Sequence, residues 1–252
     1  MTPQPSFSLA GRRALITGAG RGIGRAIADV YAQAGAEVWL CARSADEIDA
    51  AVTELRGAGH KAHALVGDVT DVPGFAAAVA ALPGLEIFVN NAGANRPKPQ
   101  LEVTEDDFDA IAGLNLRAAF FALQAVSRKM IEGGRGGSII NMSSQLGHIG
   151  AAHRTLYCAT KWGIEGLTKA VSIELAPHGI RVNTICPTFV ETPLTQPYFE
   201  DPAFLDHCLS RIRLGRLGQV GDITGAALYL ASEASSLMTG SAMMLDGGWT
   251  AG

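Results

Sequence analysis

Two rhythms of apolar and polar positions alternate along this chain. Short apolar runs, "RRALIT", "EVWLC" and "KAHALVG", are each followed by a stretch with helical spacing, at 22–34, 45–57 and 71–81. The first rhythm suits a buried strand and the second a helix with one apolar face, so the alternation predicts parallel βα units. It continues through "LEIFVN", a long helix from about 104 to 132, "GSIINM", a helix from about 153 to 176, and "IRVNTIC". A loop-rich stretch at 187–218 then leads to a helix near 220–231 and a last strand, "SAMMLD". Within "TEDD" at 104–107, Thr104 and Asp107 have the spacing of a capping box, so those acids are read as structural.

Composition narrows the picture. The 252 residues are 48% hydrophobic, enough for a substantial core, and no compositional break marks a linker, so residues 1–252 are expected to form a single domain. The formal net charge is −4 and the basic residues are scattered, which argues against a nucleic-acid partner. The stretch "MTPQPSFSLAGRR" lacks a signal-peptide core, and no run reaches the roughly 18 apolar residues of a membrane span. A cytoplasmic protein is the expectation. Cys41, Cys158, Cys186 and Cys208 lie far apart and are expected to be reduced and structural. His60 and His63 form a lone H-x-x-H, and no metal is expected.

Directly after the first strand, "TGAGRGIGRAIA" places Gly18, Gly22, Ile23 and Gly24 where a helix begins. Glycines there let the backbone turn tightly and approach a pyrophosphate, whose charge faces the unpaired N–H groups of the helix start. With a strand before and a helix after, the loop predicts a dinucleotide site. The expected fold class is accordingly α/β: a Rossmann-type, doubly wound parallel sheet of about seven strands with helices on both faces. An acid at the end of the second strand would bond the ribose hydroxyls of NAD, but this chain has "CARS". Arg43 and Arg21 could instead hold a 2′-phosphate, which favours NADP over NAD.

Tyr157 and Lys161 in "YCATK" lie four apart, on one face of a helix. An ordinary tyrosine, with a pKa near 10, is a poor proton shuttle at neutral pH, and a nearby ammonium would lower that value. The loop "TGAGRGIG", "NNAG" at 90–93, "SS" at 143–144, "YCATK" and the closing "GSAMMLDGG" together resemble the short-chain dehydrogenase/reductase family over essentially the whole chain. The resemblance implies that Tyr157 is the acid/base, with Lys161 its tuner and a ribose ligand. It implies that Ser144 holds the substrate oxygen, and that Asn115 completes a proton relay through water to Lys161. It also places Asp68 and Val69 near the adenine, Asn90, Ala92 and Gly93 along the cofactor channel, and Pro187, Val190 and Thr192 beside the nicotinamide. Asp68 could otherwise simply cap the next helix. Where the family usually has Pro-Gly, this chain has Pro187-Thr188, and the link from Asp68 to Asn90 is shortened.

The substrate pocket is expected at the carboxyl edge of the sheet, lined by Asn95, Arg96, Gln145, His148, His153, Arg154 and a covering segment at 191–215. That polar set suggests a small hydroxy or keto substrate, such as a sugar acid paired by Arg96 and Arg154. An NADP-linked carbonyl reductase or alcohol dehydrogenase is the leading expectation. An NAD-linked dehydrogenase working oxidatively and a non-catalytic nucleotide-binding regulator are the alternatives. By the same resemblance, helices 104–132 and 153–176 are expected to pair in a homotetramer.

Overall fold

A computed structural model of the chain describes residues 6–252, so the opening "MTPQP" of the N-terminal stretch lies outside it. Seven strands form one sheet: β1 (Arg13–Thr17), β2 (Glu37–Ala42), β3 (Ala62–Val66), β4 (Ile87–Asn90), β5 (Gly137–Met142), β6 (Ile180–Pro187) and β7 (Ala242–Leu245). Their order is β3-β2-β1-β4-β5-β6-β7, and every pair is parallel. The chain winds outward from β1 in one direction and from β4 in the other, so a crevice opens between the carboxyl ends of β1 and β4.

Helices α1 (Gly22–Gln33), α2 (Ala45–Gly57) and α8 (Val220–Ala231) cover one face through a core that includes Ile27, Tyr31, Ile48, Leu230, Ile16 and Leu40. Helices α3 (Val72–Ala80) and α5 (Ala119–Gly133) cover the other, where Phe75, Val126 and Met130 meet Leu15, Phe88 and Val182. Central strands buried on both faces explain the unbroken apolar runs of the sequence. Residues 105–133 are long and apolar enough to cross a membrane, but one face of that stretch, with Leu123, Val126 and Met130, is packed into the core.

The helix expected from 104 to 132 runs from Glu105 to Gly133 but is not an α-helix throughout. After α4 (Glu105–Ala112), which opens on the expected capping box of Thr104 and Asp107, the backbone widens into a π segment over Gly113–Ala118 before α5 begins. Asn115 lies in that segment, and its side chain bonds both polar backbone atoms of Ala94, donating to the carbonyl at 2.8 Å and accepting from the N–H at 2.9 Å. The break thus coincides with a side-chain clamp on the loop after β4. The stretch expected to be loop-rich also contains helix α7 (Pro202–Arg211), started by Asp201 as N-cap with Pro202 at the first helical position. Helix α6 (Thr155–Leu175) falls within its expected range.

Candidate active site

The loop joining β1 to α1 is built by steric necessity. Gly18 and Gly22 have φ of +64° and +60°, and a Cβ on Gly24 would lie 2.4 Å from the Gly18 carbonyl oxygen. Only glycine fits such positions without displacing backbone. The loop and the start of α1 form the floor of a groove of about 670 Å³, walled by Ala42, Arg43 and Ser44 after β2 and by Asp68 and Val69 after β3. Ala92 and Gly93 after β4 and Thr192 complete it. Gly18, Gly20 and Gly22 line the groove beside the start of α1, and Arg21 and Arg43 add positive charge, so the residues present fit a dinucleotide. Arg43 has a 79% exposed side chain, 3.9 Å from Asp68, and Arg21 lies 3.5 Å from Glu47. Asp68 does not cap α3. It accepts from the backbone N–H and hydroxyl of Thr70, which hold its carboxyl low against burial, and Asp71 is the cap.

Asn90 departs from expectation: its amide is buried and donates to Ala119 O at 3.0 Å and Asn141 Oδ1 at 3.1 Å, so it sends no side chain into the groove. Its neighbour Asn91 does the work there. Asn91 Nδ2 donates to Thr17 O at 2.9 Å and to Gly18 O at 3.2 Å, while Thr17 Oγ1 accepts from the Asn91 and Ala92 N–H groups. This pair ties the end of β4 to the glycine loop, and neither residue was singled out by sequence.

A second cleft, of about 170 Å³, opens from the same groove; Ile23, Asn91, Gly93 and Thr192 line both. Ser144, Tyr157 and Lys161 meet in it, together with Asn95, Gln145, Arg154, Pro187 and Val190. Ser144 caps a short turn by accepting from Leu146 N–H at 3.1 Å, which fixes its hydroxyl beside Tyr157. Lys161 is buried and donates to Met142 O at 2.7 Å, with its ammonium 5.4 Å from the centre of the Tyr157 ring.

Burial pushes the Tyr157 phenol up to about 12, opposed first by the Ser144 hydroxyl and then by Arg154. The Lys161 ammonium spends a hydrogen bond on Met142 O, and burial draws it down to about 8, with Cys186 and Glu165 opposing. Asn115 makes no direct bond to Lys161. Both reach toward Gly93, where a Cβ would lie 3.3 Å from Asn115 Oδ1 and 3.9 Å from Lys161 Nζ.

Two expected substrate ligands lie elsewhere. Arg96 is held by Asp106 at 2.8 Å and Asp107 at 3.3 Å, at the start of α4, and so has carboxylate partners already. His153 is exposed, with φ +59°, and faces a small hollow beside Lys98 rather than the cleft. Behind Lys161, His148, Glu165 and Cys186 come together unforeseen, their ligand-type atoms within 4.8 Å of one another. Glu165 accepts from Thr184 at 3.1 Å and from Cys186 at 3.2 Å, so the buried carboxylate is engaged within the cluster. In the segment at 191–215, Tyr198, Phe199 and Phe204 pack edge-on or stacked with one another and with the preceding Phe189.

Comparison with known proteins agrees with this geometry. Residues 18–250 match a family model described as enoyl-(acyl carrier protein) reductase. The chain is 39% identical over 246 residues to D-erythrulose reductase of Gallus gallus, covering 98% of each. It is 40% identical over 248 residues to gluconate 5-dehydrogenase of Gluconobacter oxydans, covering 97% of this chain and 96% of the other. A crystal structure of a gluconate 5-dehydrogenase from Burkholderia cenocepacia, in complex with NADP and tartrate, superposes with a TM-score of 0.94 at 38% identity, covering 98% of each chain. With that agreement over nearly its full length, and with Ser144, Tyr157 and Lys161 in one cleft, the chain belongs to the short-chain dehydrogenase/reductase family of oxidoreductases.

Proposed function

We propose that this enzyme interconverts a secondary alcohol and a ketone on a small polyhydroxy substrate, with NADP as its cofactor. The observation that carries the reading is that Ser144, Tyr157 and Lys161 line one small cleft, and that this cleft shares Ile23, Asn91, Gly93 and Thr192 with the large groove. When bound, a nicotinamide dinucleotide supplies a two-electron hydride donor or acceptor. Gly18, Gly22, Ile23 and Gly24 would cradle its phosphates, Asp68, Val69, Ala92 and Gly93 would line its path, and Val190, Thr192 and Pro187 would flank its reactive end. Arg21 and Arg43 favour a 2′-phosphate, because no carboxylate occupies the end of β2.

Tyr157 Oη takes the alcohol proton on oxidation and returns it to the oxygen on reduction. Ser144 Oγ donates a hydrogen bond to that oxygen as negative charge develops on it. Lys161 keeps a cation beneath the phenol ring, and Asn115, clamped on Ala94, orders the loop that faces it. The relatives' names support a sugar-like substrate, since two of them are an erythrulose reductase and a gluconate dehydrogenase. Homotetramer formation is supported by apolar surface left open at Phe120 on α5 and at Trp162 and Ile173 on α6.

The test is absorbance at the reduced-cofactor band with NADP and, separately, NAD, against polyols, ketoses and sugar acids. The proposal expects turnover with at least one class and a lower KM for NADP than for NAD. Cofactor binding without turnover of any class would instead favour a nucleotide-binding regulator, and preference for NAD would favour the oxidative NAD-linked reading.

A further inference from the structure

Arg154 is an anomaly among the arginines of this fold. It is 8% exposed and lines the small cleft beside Tyr157. The other arginines set into the protein are satisfied: Arg13 is paired with Glu86, Arg25 with Asp29 and Glu54, and Arg181 donates to the carbonyls of Leu230, Ser232 and Met238. Arg154 makes one 3.4 Å bond to His153 O, and no carboxylate among the described residues pairs with it. The ionisable groups that act on it are Tyr198, Cys208, Tyr157 and Cys158.

A guanidinium carries five N–H donors and stays charged even when buried, so leaving it without an anion is costly. What holds Arg154 in place is aromatic: its guanidinium carbon lies 5.4 Å from the centre of the Tyr198 ring and 5.8 Å from that of Phe204. Contact with ring faces uses none of the N–H donors, and one of them is taken by His153 O. Three further residues lining the same cleft are unsatisfied. Gln145 is 1% exposed with both amide atoms unpartnered, and the buried hydroxyls of Ser143 and Thr188 are unpartnered as well.

We propose that Arg154 is the carboxylate anchor of the substrate cleft, and that the preferred substrate is a sugar acid or its keto form rather than a neutral polyol or ketose. The inference deepens the proposed function and rests on that reading of the cleft as the substrate site. Besides Lys161, which sits beneath the Tyr157 ring, Arg154 is the cation lining this cleft of about 170 Å³. A planar carboxylate fits the donor fork in a bidentate manner. Gln145 and Thr188 offer donors and acceptors suited to hydroxyls along the carbon chain. Arg96, the other candidate for this role, is removed from it by Asp106 and Asp107.

The test compares two probes with the same six-carbon polyol chain, D-gluconate and D-sorbitol, on the full-length protein. Isothermal titration calorimetry, with and without NADPH, reads binding independently of turnover. Wild type is expected to bind gluconate at least about tenfold more tightly than sorbitol, and Arg154→Gln to weaken gluconate about 10- to 100-fold while moving sorbitol less than about threefold. Arg154→Lys, which keeps the charge but loses the fork, should fall between the two, and it carries the comparison if Arg154→Gln does not fold. Equal binding of the two probes by wild type, or an equal loss of both in the variant, would overturn the proposal. Arg154-dependent gluconate binding with no NADP reduction would uphold the anchor while overturning the dehydrogenase reading. Turnover of sorbitol indifferent to Arg154 would do the reverse.

Discussion

The dinucleotide groove and the substrate cleft share a wall and are made in opposite ways. Most of the groove is built at the ends of β1 to β4, in four segments taken consecutively along the chain, with Ile111 and Thr192 closing it, and its glycine loop depends on side chains that are missing. The cleft is built from side chains on segments after β4, β5 and β6 and on α6: Ser144, Gln145, Arg154, Tyr157 and Thr188. A site made from backbone tolerates almost no added atoms but asks little of its other residues. A site made from side chains can change its ligand one residue at a time while the sheet beneath it stays the same.

Substitutions on the two sides should therefore fail differently, and the largest effect belongs to the cleft. Ser144→Ala is expected to lower kcat about 10²- to 10³-fold with the NADPH dissociation constant unchanged, read by steady-state kinetics and fluorescence titration. Gly24→Ala should do the converse. Its Cβ would sit 2.4 Å from Gly18 O and 2.6 Å from Asn91 Nδ2, so the loop must shift and the NADPH dissociation constant should rise roughly 10- to 100-fold. At saturating cofactor its kcat should recover. If Gly24→Ala lowers kcat and leaves binding intact, the division between the two regions fails.

Smaller effects sharpen the contrast. Arg43→Ala should raise the KM for NADP about tenfold and leave that for NAD within about twofold, because the side chain is largely exposed and solvent screens it. The smallest effect is on stability. Lys161 sits at about 8 in the fold, against a usual 10.5, so between those values the unfolded chain binds more protons than the folded one. Stability contributed through Lys161 therefore rises with pH across that window. The melting temperature of wild type relative to Lys161→Met should increase from pH 8 to pH 10. A flat difference would mean that Lys161 is not held at a depressed pKa.

Legibility in the sequence followed the same division. Strand and helix periodicity, the glycine loop and the Ser144, Tyr157 and Lys161 spacing all carried through, because each is a local requirement written in consecutive residues. What escaped was set by partners distant in sequence or by geometry that side-chain pattern does not encode. The π segment at Gly113–Ala118 leaves the apolar rhythm of 104–132 intact, so nothing in the spacing shows the break. Arg96 looked like a substrate ligand until its carboxylate partners were placed, although Asp106 and Asp107, ten and eleven residues on, were a signal that could have been weighed. Helix α7 also had a signal, the Asp201-Pro202 start, lost among loop-like residues. The lock of Asn91 on Thr17, and the meeting of His148 with Glu165 of α6 and Cys186 of β6, join separate elements and have no linear signature.

The most direct test of the proposed chemistry is a single-turnover measurement on Tyr157→Phe with cofactor and substrate both saturating. The variant lacks one oxygen atom and keeps the ring that fills the cleft. If Tyr157 is the proton-transfer group, hydride transfer should slow by about 10²- to 10⁴-fold while NADPH binding stays at the wild-type value. Hydride transfer at the wild-type rate would contradict that role for Tyr157.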